Sequence, residues 1–183
     1  MLTPEQYLEI ERRTQHRSEY VDGQMYAMSG ASLGHNQISL NAWRALVDQV
    51  DARGCTVCAI DMKVAICRKS SYLYPDVVVI CGAPEFHDER TDIVLNPKVV
   101  IEVLSPSTQT YDRGQKFELY REIPSLAEYL LISQDRVHVE HYVRQPIGHW
   151  EYSEMKDPDG AIELPSIGAT LKSTDVYHRV KFA

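Results

Sequence analysis

No stretch of this sequence approaches the run of about 20 apolar residues that a membrane-spanning helix needs. Its start, Met-Leu-Thr-Pro-Glu-Gln, lacks the basic-then-apolar character of a secretion signal. Together these absences predict a cytoplasmic protein with no membrane partner. An excess of positive charge is also missing: 19 Lys and Arg stand against 26 Asp and Glu, for a net charge of −7. Proteins that grip long tracts of phosphate backbone carry a basic footprint. Any contact of that kind here must be local or assisted by a metal. No repeat, low-complexity tract or linker divides the chain, so residues 1–183 read as one domain with a substantial core. Cysteine is sparse, at 55, 58, 67 and 81. Cys55 and Cys58 have the spacing of half a zinc site, but no second close pair completes it. On a strand their odd spacing sends them to opposite faces. The expectation is reduced, partly buried structural thiols.

The composition, 44% hydrophobic and 25% charged, is that of an ordinary globular chain rather than a disordered one. Thr3 as cap, Pro4 at the first position and acids in the first turn predict a short helix. Residues 18–28 read as a hairpin turning at Asp22-Gly23. A long helix is expected from Ser32 to Asp51, capped by Ser32, with Gly54 just past its end and Leu40, Trp43, Val47 and Val50 as its apolar stripe. Strands are expected at 55–60, 63–67, 74–81 and 98–104. The near-continuous Val and Ile of the last two predict a sheet covered on both faces. A helix over 113–122 stops before Pro124, and residues 128–133 form a third core strand. Residues 136–143 and 149–153 suggest a later, more exposed hairpin. Asp157-Pro-Asp-Gly160 reads as a plain turn. The order predicts an α/β fold, a mixed β-sheet flanked by helices with additional β-hairpins.

Two strands carry a charge where a core strand should not. In Lys98-Val-Val-Ile-Glu-Val-Leu104 the carboxylate of Glu102 enters the core; an isolated ionised carboxylate is costly to bury and has to be neutralised, paired or bound to a metal. Asp76 sits at the start of the other strand. Asp76 and Glu102 are hard oxygen ligands of the kind Mg²⁺ takes, one or two at a time with several waters. An ion held there would acidify a bound water and neutralise charge on a phosphate. Lys116, on the following helix, is a point charge suited to steadying water or phosphate oxygens. The alternative is that Asp76 caps a strand end and Glu102 pairs with Lys116 as a structural salt bridge. The hydroxyl-rich loop Ser105-Pro-Ser-Thr108 lies past the end of the Glu102 strand, where α/β sites commonly lie.

These residues resemble a known family. Glu19-Tyr-Val-Asp-Gly-Gln, His35, Pro75-Asp-Val-Val-Val, Val100-Ile-Glu-Val-Leu-Ser-Pro-Ser-Thr108, then Asp112, Lys116, Tyr120 and Glu128-Tyr-Leu-Leu-Ile are similar to the Uma-two family, described as "putative restriction endonuclease", within the PD-(D/E)xK nuclease superfamily. The resemblance runs from about residue 3 to about residue 153. It implies a restriction endonuclease-like core, with Asp76 and Glu102 as metal ligands. The superfamily's usual lysine lies two residues after the acid, where this chain has Leu104; the resemblance implies that Lys116 replaces it. Glu19 matches an early acid that supports the site. His35 matches a recurrent histidine near a helix start, where anions are favoured. Read from the residues alone, Glu19 is equally a polar hairpin residue and His35 a helix-start hydrogen bonder. Asp112 is expected to cap the Lys116 helix, Tyr120 to pack in the core, and His138 and His141 to sit on opposite faces of an exposed strand.

The expected function is a Mg²⁺-dependent endonuclease, with Mn²⁺ able to substitute, that hydrolyses DNA phosphodiester bonds by a metal-activated water. The catalytic residues expected are Asp76, Glu102 and Lys116. A homodimer is expected because a two-fold protein suits a duplex. The alternative, favoured by the acidic charge, is a catalytically silent nucleic-acid-binding or protein-interaction module on the same fold. A third reading is phosphoryl hydrolysis on a smaller substrate.

Overall fold

Thr3 opens the first element with a reciprocal cap: its hydroxyl accepts the Gln6 N–H and the Gln6 side chain accepts the Thr3 N–H, with Pro4 starting helix α1, Pro4–Glu11. In this computed structural model residues 1–182 are described, the side chain of Lys69 excepted. Strands β1, Ser18–Val21, and β2, Gln24–Ala27, pair as a hairpin. Asp22 and Gly23 between them both have positive φ (49° and 80°), the backbone of a type I′ turn.

Helix α2, Leu33–Val50, is capped by Ser32 as expected, but its buried face is Ile38, Ala42, Leu46 and Val50. Leu40 is 48% exposed, and Trp43 and Val47 lie at the edge of the core. The expected stripe is therefore rotated. The cause is that the true face carries the small residues Ser39 and Ala42, which add little to an apolar pattern. Trp43 is held at the margin because its indole N–H donates to the Val57 carbonyl, 2.9 Å away.

The next strands are β3, Cys55–Ala59; β4, Lys63–Ile66; β5, Ser71–Leu73; β6, Val77–Cys81; β7, Ile93–Val94; and β8, Val99–Leu104. A continuous helical stretch follows in three parts: α3, Gln109–Tyr111; a π-helical turn, Asp112–Lys116; and α4, Phe117–Tyr120. It begins four residues earlier than the sequence pattern suggested. Then come β9, Glu128–Ser133; β10, Val139–Arg144; β11, Trp150–Met155; β12, Ala161–Leu164; β13, Ala169–Lys172; and α5, Ser173–Val176.

Six strands form the main sheet in the order β11-β10-β9-β8-β6-β3. It is mixed: β8 and β9 are parallel, the other pairs antiparallel. One face packs Val77, Val79, Ile101 and Val103 against α2 and the β12–β13 hairpin. The other packs Val78, Val100, Leu104, Tyr129 and Leu131 against the helix of Phe117 and Tyr120 and a second sheet, ordered β2-β1-β5-β4-β7. Cover on both faces is why the β6 and β8 sequences are almost continuously apolar.

Three expectations need correcting. Cys55 and Cys81 are not reduced: they are partners in the β3–β6 register and form a disulfide. They lie 26 residues apart, so no local spacing signals the pair. Cys58 and Cys67 are free, and Cys58 does face the side of the sheet opposite Cys55. Asp112 does not cap a helix but lies within one, buried, because the helical stretch starts before it. His138 and His141 are buried rather than on an exposed strand, each against a carboxylate, Glu154 at 3.0 Å and Glu128 at 2.6 Å. The turn at 157–160 forms as expected, with the Asp157 side chain accepting the Asp159 N–H.

Candidate active site

The β6–β8 register brings the two acids together. Val77 pairs with Ile101, so Asp76, one residue before β6, falls across from Glu102. Alternation along both strands sends Val77, Ile101 and Val103 toward α2. Asp76 and Glu102 have the opposite parity, so the register places their side chains on the other face. Both line one cleft of about 830 Å³, together with Glu19, His35, Asp112 and Lys116. All five residues expected at the site from sequence thus border a single cavity.

Asp76 is fixed by its surroundings. Its Oδ2 accepts the Val103 N–H at 2.7 Å and lies 3.3 Å from His35 Nε2. His35 is placed by the start of α2, where its N–H donates to Ser32 Oγ at 3.1 Å. Burial would lower the imidazole's pKa, but the hydrogen bond and charge of Asp76 outweigh it and hold His35 above its ordinary value.

Lys116 reaches the same region from the π turn. Its Nζ is 2.9 Å from Glu102 Oε1, 3.1 Å from Glu19 Oε1 and 3.8 Å from Asp112 Oδ1. Glu19 Oε1 also accepts the Tyr74 N–H at 3.0 Å, tying the hairpin to the segment before Asp76. Tyr120 OH donates to Glu102 Oε1 at 3.0 Å. Asp112, Lys116 and Tyr120 follow at steps of four and are all buried on the helical face toward the acids.

Four carboxyl groups therefore share one ammonium and one imidazole. Burial pulls the Lys116 ammonium down, but Glu102, Glu19 and Asp112 more than offset this and hold it well above its ordinary value. Glu102 is drawn both ways: burial pushes it up, Lys116 pulls it down, and Asp76, Asp112 and Glu19 push it up again, to a net rise. Its Oε1 accepts from both Tyr120 and Lys116, contacts that favour the ionised carboxylate paired with the ammonium. The upward push on Glu102 then expresses how crowded with negative charge the site is. Asp112 is raised for the same reasons, burial first.

The ion-pair alternative is thus realised in its contacts, since Glu102 and Lys116 do pair. It does not account for the further acids beside that pair or for the open cleft they face. The donor chemistry fits a hard cation: two carboxylates on one face, in a site whose acids outnumber its bases. Among the described residues no three acid, histidine or cysteine side chains are grouped to enclose an ion. An ion here would draw much of its shell from water, as Mg²⁺ does. Sequence reasoning missed two members of the site. Asp112 was hidden by its cap-like position, and the Tyr120 hydroxyl by the ring's evident core role. Their spacing from Lys116 was the available signal.

The chain belongs to the Uma-two (Uma2) family, whose model, "Putative restriction endonuclease", matches residues 4–174. Two "uncharacterized" proteins of Synechocystis sp. are similar over nearly their whole length. One is 37% identical over 181 residues, covering 99% of this chain and 94% of its own. The other is 38% identical over 164 residues, covering 90% and 93%. The fold matches a crystal structure described as a "putative nuclease" from Anabaena variabilis, with a TM-score of 0.79 at 20% identity, over 97% of this chain and 98% of that one. The restriction endonuclease-like architecture and a place among nuclease-type proteins follow.

Proposed function

We propose that this protein is a divalent-metal-dependent endonuclease that hydrolyses phosphodiester bonds of DNA. The observation that supports it most is the convergence of Asp76, Glu102 and Lys116 in one cleft, with acids in excess. Mg²⁺, or Mn²⁺ in its place, held by Asp76 and Glu102, would supply charge neutralisation at the phosphate and a more acidic water. The chain's own groups do the rest. His35 and the Val103 N–H orient the Asp76 carboxylate. Tyr120 and Lys116 orient Glu102. Lys116, anchored by Glu19, holds a positive charge where the attacking water or the developing phosphate charge would lie.

Cleavage of plasmid and oligonucleotide substrates tests this, with Mg²⁺ or Mn²⁺ and with EDTA. Wild type should cleave only with the ion. Asp76→Ala, Glu102→Gln and Lys116→Ala should each lose about 10²-fold or more, the typical loss when one charge-stabilising group is removed. A folded wild type no more active than these variants on any nucleic acid contradicts the proposal and favours the catalytically silent module. We extend the proposal to a homodimer joined through β11, an edge strand of the main sheet. A single protomer mass by light scattering contradicts the dimer. The Cys55–Cys81 disulfide weighs against the expected cytoplasmic location, which is a reducing compartment.

A further inference from the structure

The cleft around Asp76 and Glu102 has exposed apolar side chains among the polar groups of its lining. Tyr26 on β2, Met28 just after it and Ile60 just after β3 all line it and are 50%, 42% and 58% exposed. Tyr111, half-buried, lines it from the helical side. Ile60 is held there by a backbone with φ of 79°, a strained region for a β-branched residue, and its N–H donates to the Asp76 carbonyl at 3.1 Å. Its exposure is therefore fixed by the same backbone that positions Asp76.

Among the described lining residues the permanent cations are Arg17 and Lys116, and both are already paired, Arg17 with Asp61 and Lys116 with the site's own acids. A duplex keeps its bases stacked inside and presents phosphates, which a protein neutralises with free Lys and Arg. Among the described lining residues no further Lys or Arg stands unpaired to do so. An unpaired base presents a flat apolar face that stacks on aromatic side chains whatever its identity. A volume of about 830 Å³ also suits a small ligand-sized segment, within the range of about 300–1,000 Å³ typical of ligand pockets.

We infer that the strand entering this cleft is unpaired, with a base stacked on Tyr26 and packed against Met28 and Ile60, its phosphate directed toward Asp76 and Glu102. This rests on the nucleolytic reading and narrows its substrate to single strands, flaps or frayed ends.

Binding separates it from that reading. Affinity is measured in Ca²⁺, without turnover, for a short single strand made as DNA and as RNA, and for the blunt DNA duplex of the same sequence. At least one single strand should bind about tenfold or more tightly than the duplex, equivalent to about 1.4 kcal/mol. Tyr26→Ala should weaken that binding about tenfold, and Tyr26→Phe should restore it; the exposed position keeps both variants folded. Duplex binding as tight as single-strand binding, an unchanged Tyr26→Ala, or no binding of either single strand overturns the inference. Single-strand binding that needs Tyr26, without metal-dependent cleavage, sustains it while removing the nuclease. Duplex cleavage unaffected by Tyr26→Ala does the reverse.

Discussion

Lys116 and Glu102 should respond oppositely to removal. Lys116→Ala leaves Glu102, Glu19 and Asp112 without their ammonium in a buried site, which should cost about 3–5 kcal/mol of stability in the ion-free protein. Glu102→Gln removes one of several crowded acids while Lys116 keeps Glu19 at 3.1 Å. It should leave stability unchanged or raise it by up to about 1 kcal/mol. Urea unfolding without divalent ions reads both. A large loss in Glu102→Gln would mean a structural bridge and no more. Lys63 offers a second test. It is 2% exposed, its ammonium near the rings of Tyr7 and Tyr74. Burial lowers its pKa, only partly offset by Glu11 and Asp92. Between that lowered value and the ordinary lysine value the unfolded chain holds a proton the folded one does not, so stability rises as pH rises through the window. Lys63→Met should abolish that rise in urea unfolding; a rise that persists in the variant assigns it to another group. At this scale the sequence was informative where a charge interrupted an apolar run, as at Glu102. It was silent about Asp112, since whether that side chain caps or lines a site depends on where the helix begins.

Elements were legible where local chemistry decides them. The Thr3 cap, the Asp22-Gly23 turn and the Ser32 cap all lie where the residues place them. The π turn at Asp112–Lys116 and the rotated face of α2 were not legible, because both are set by what the helices pack against. The short strands β5, β7, β12 and β13 also escaped notice, since so few residues carry little alternation of their own. The disulfide is an element-scale feature of the same kind, created by the β3–β6 register. Replacing both partners, Cys55→Ser with Cys81→Ser, should lower stability by about 3 kcal/mol under non-reducing conditions, since the bond closes a long loop. Unfolding curves with and without reductant check it; curves that coincide for wild type would mean the bond does not contribute.

At the scale of the whole molecule, acidity and nuclease-type architecture have to be reconciled. A chain of net charge −7 cannot rely on a broad basic groove. The cleft sets buried acids beside exposed polar and apolar side chains, and in the proposed reaction a cation would bring a phosphate near them. The mixed sheet and its two covers were readable from the Val-rich strands; the cleft was not, because its lining comes from segments as distant as Gln15 and Gln134. The proposed dependence on a cation is most directly tested by anomalous diffraction from crystals soaked in Mn²⁺. A peak within bonding distance of both the Asp76 and Glu102 carboxylates, lost in Asp76→Ala, is the result predicted. Well-ordered crystals with both carboxylates free of any peak, at Mn²⁺ concentrations that saturate other carboxylate sites, would contradict it.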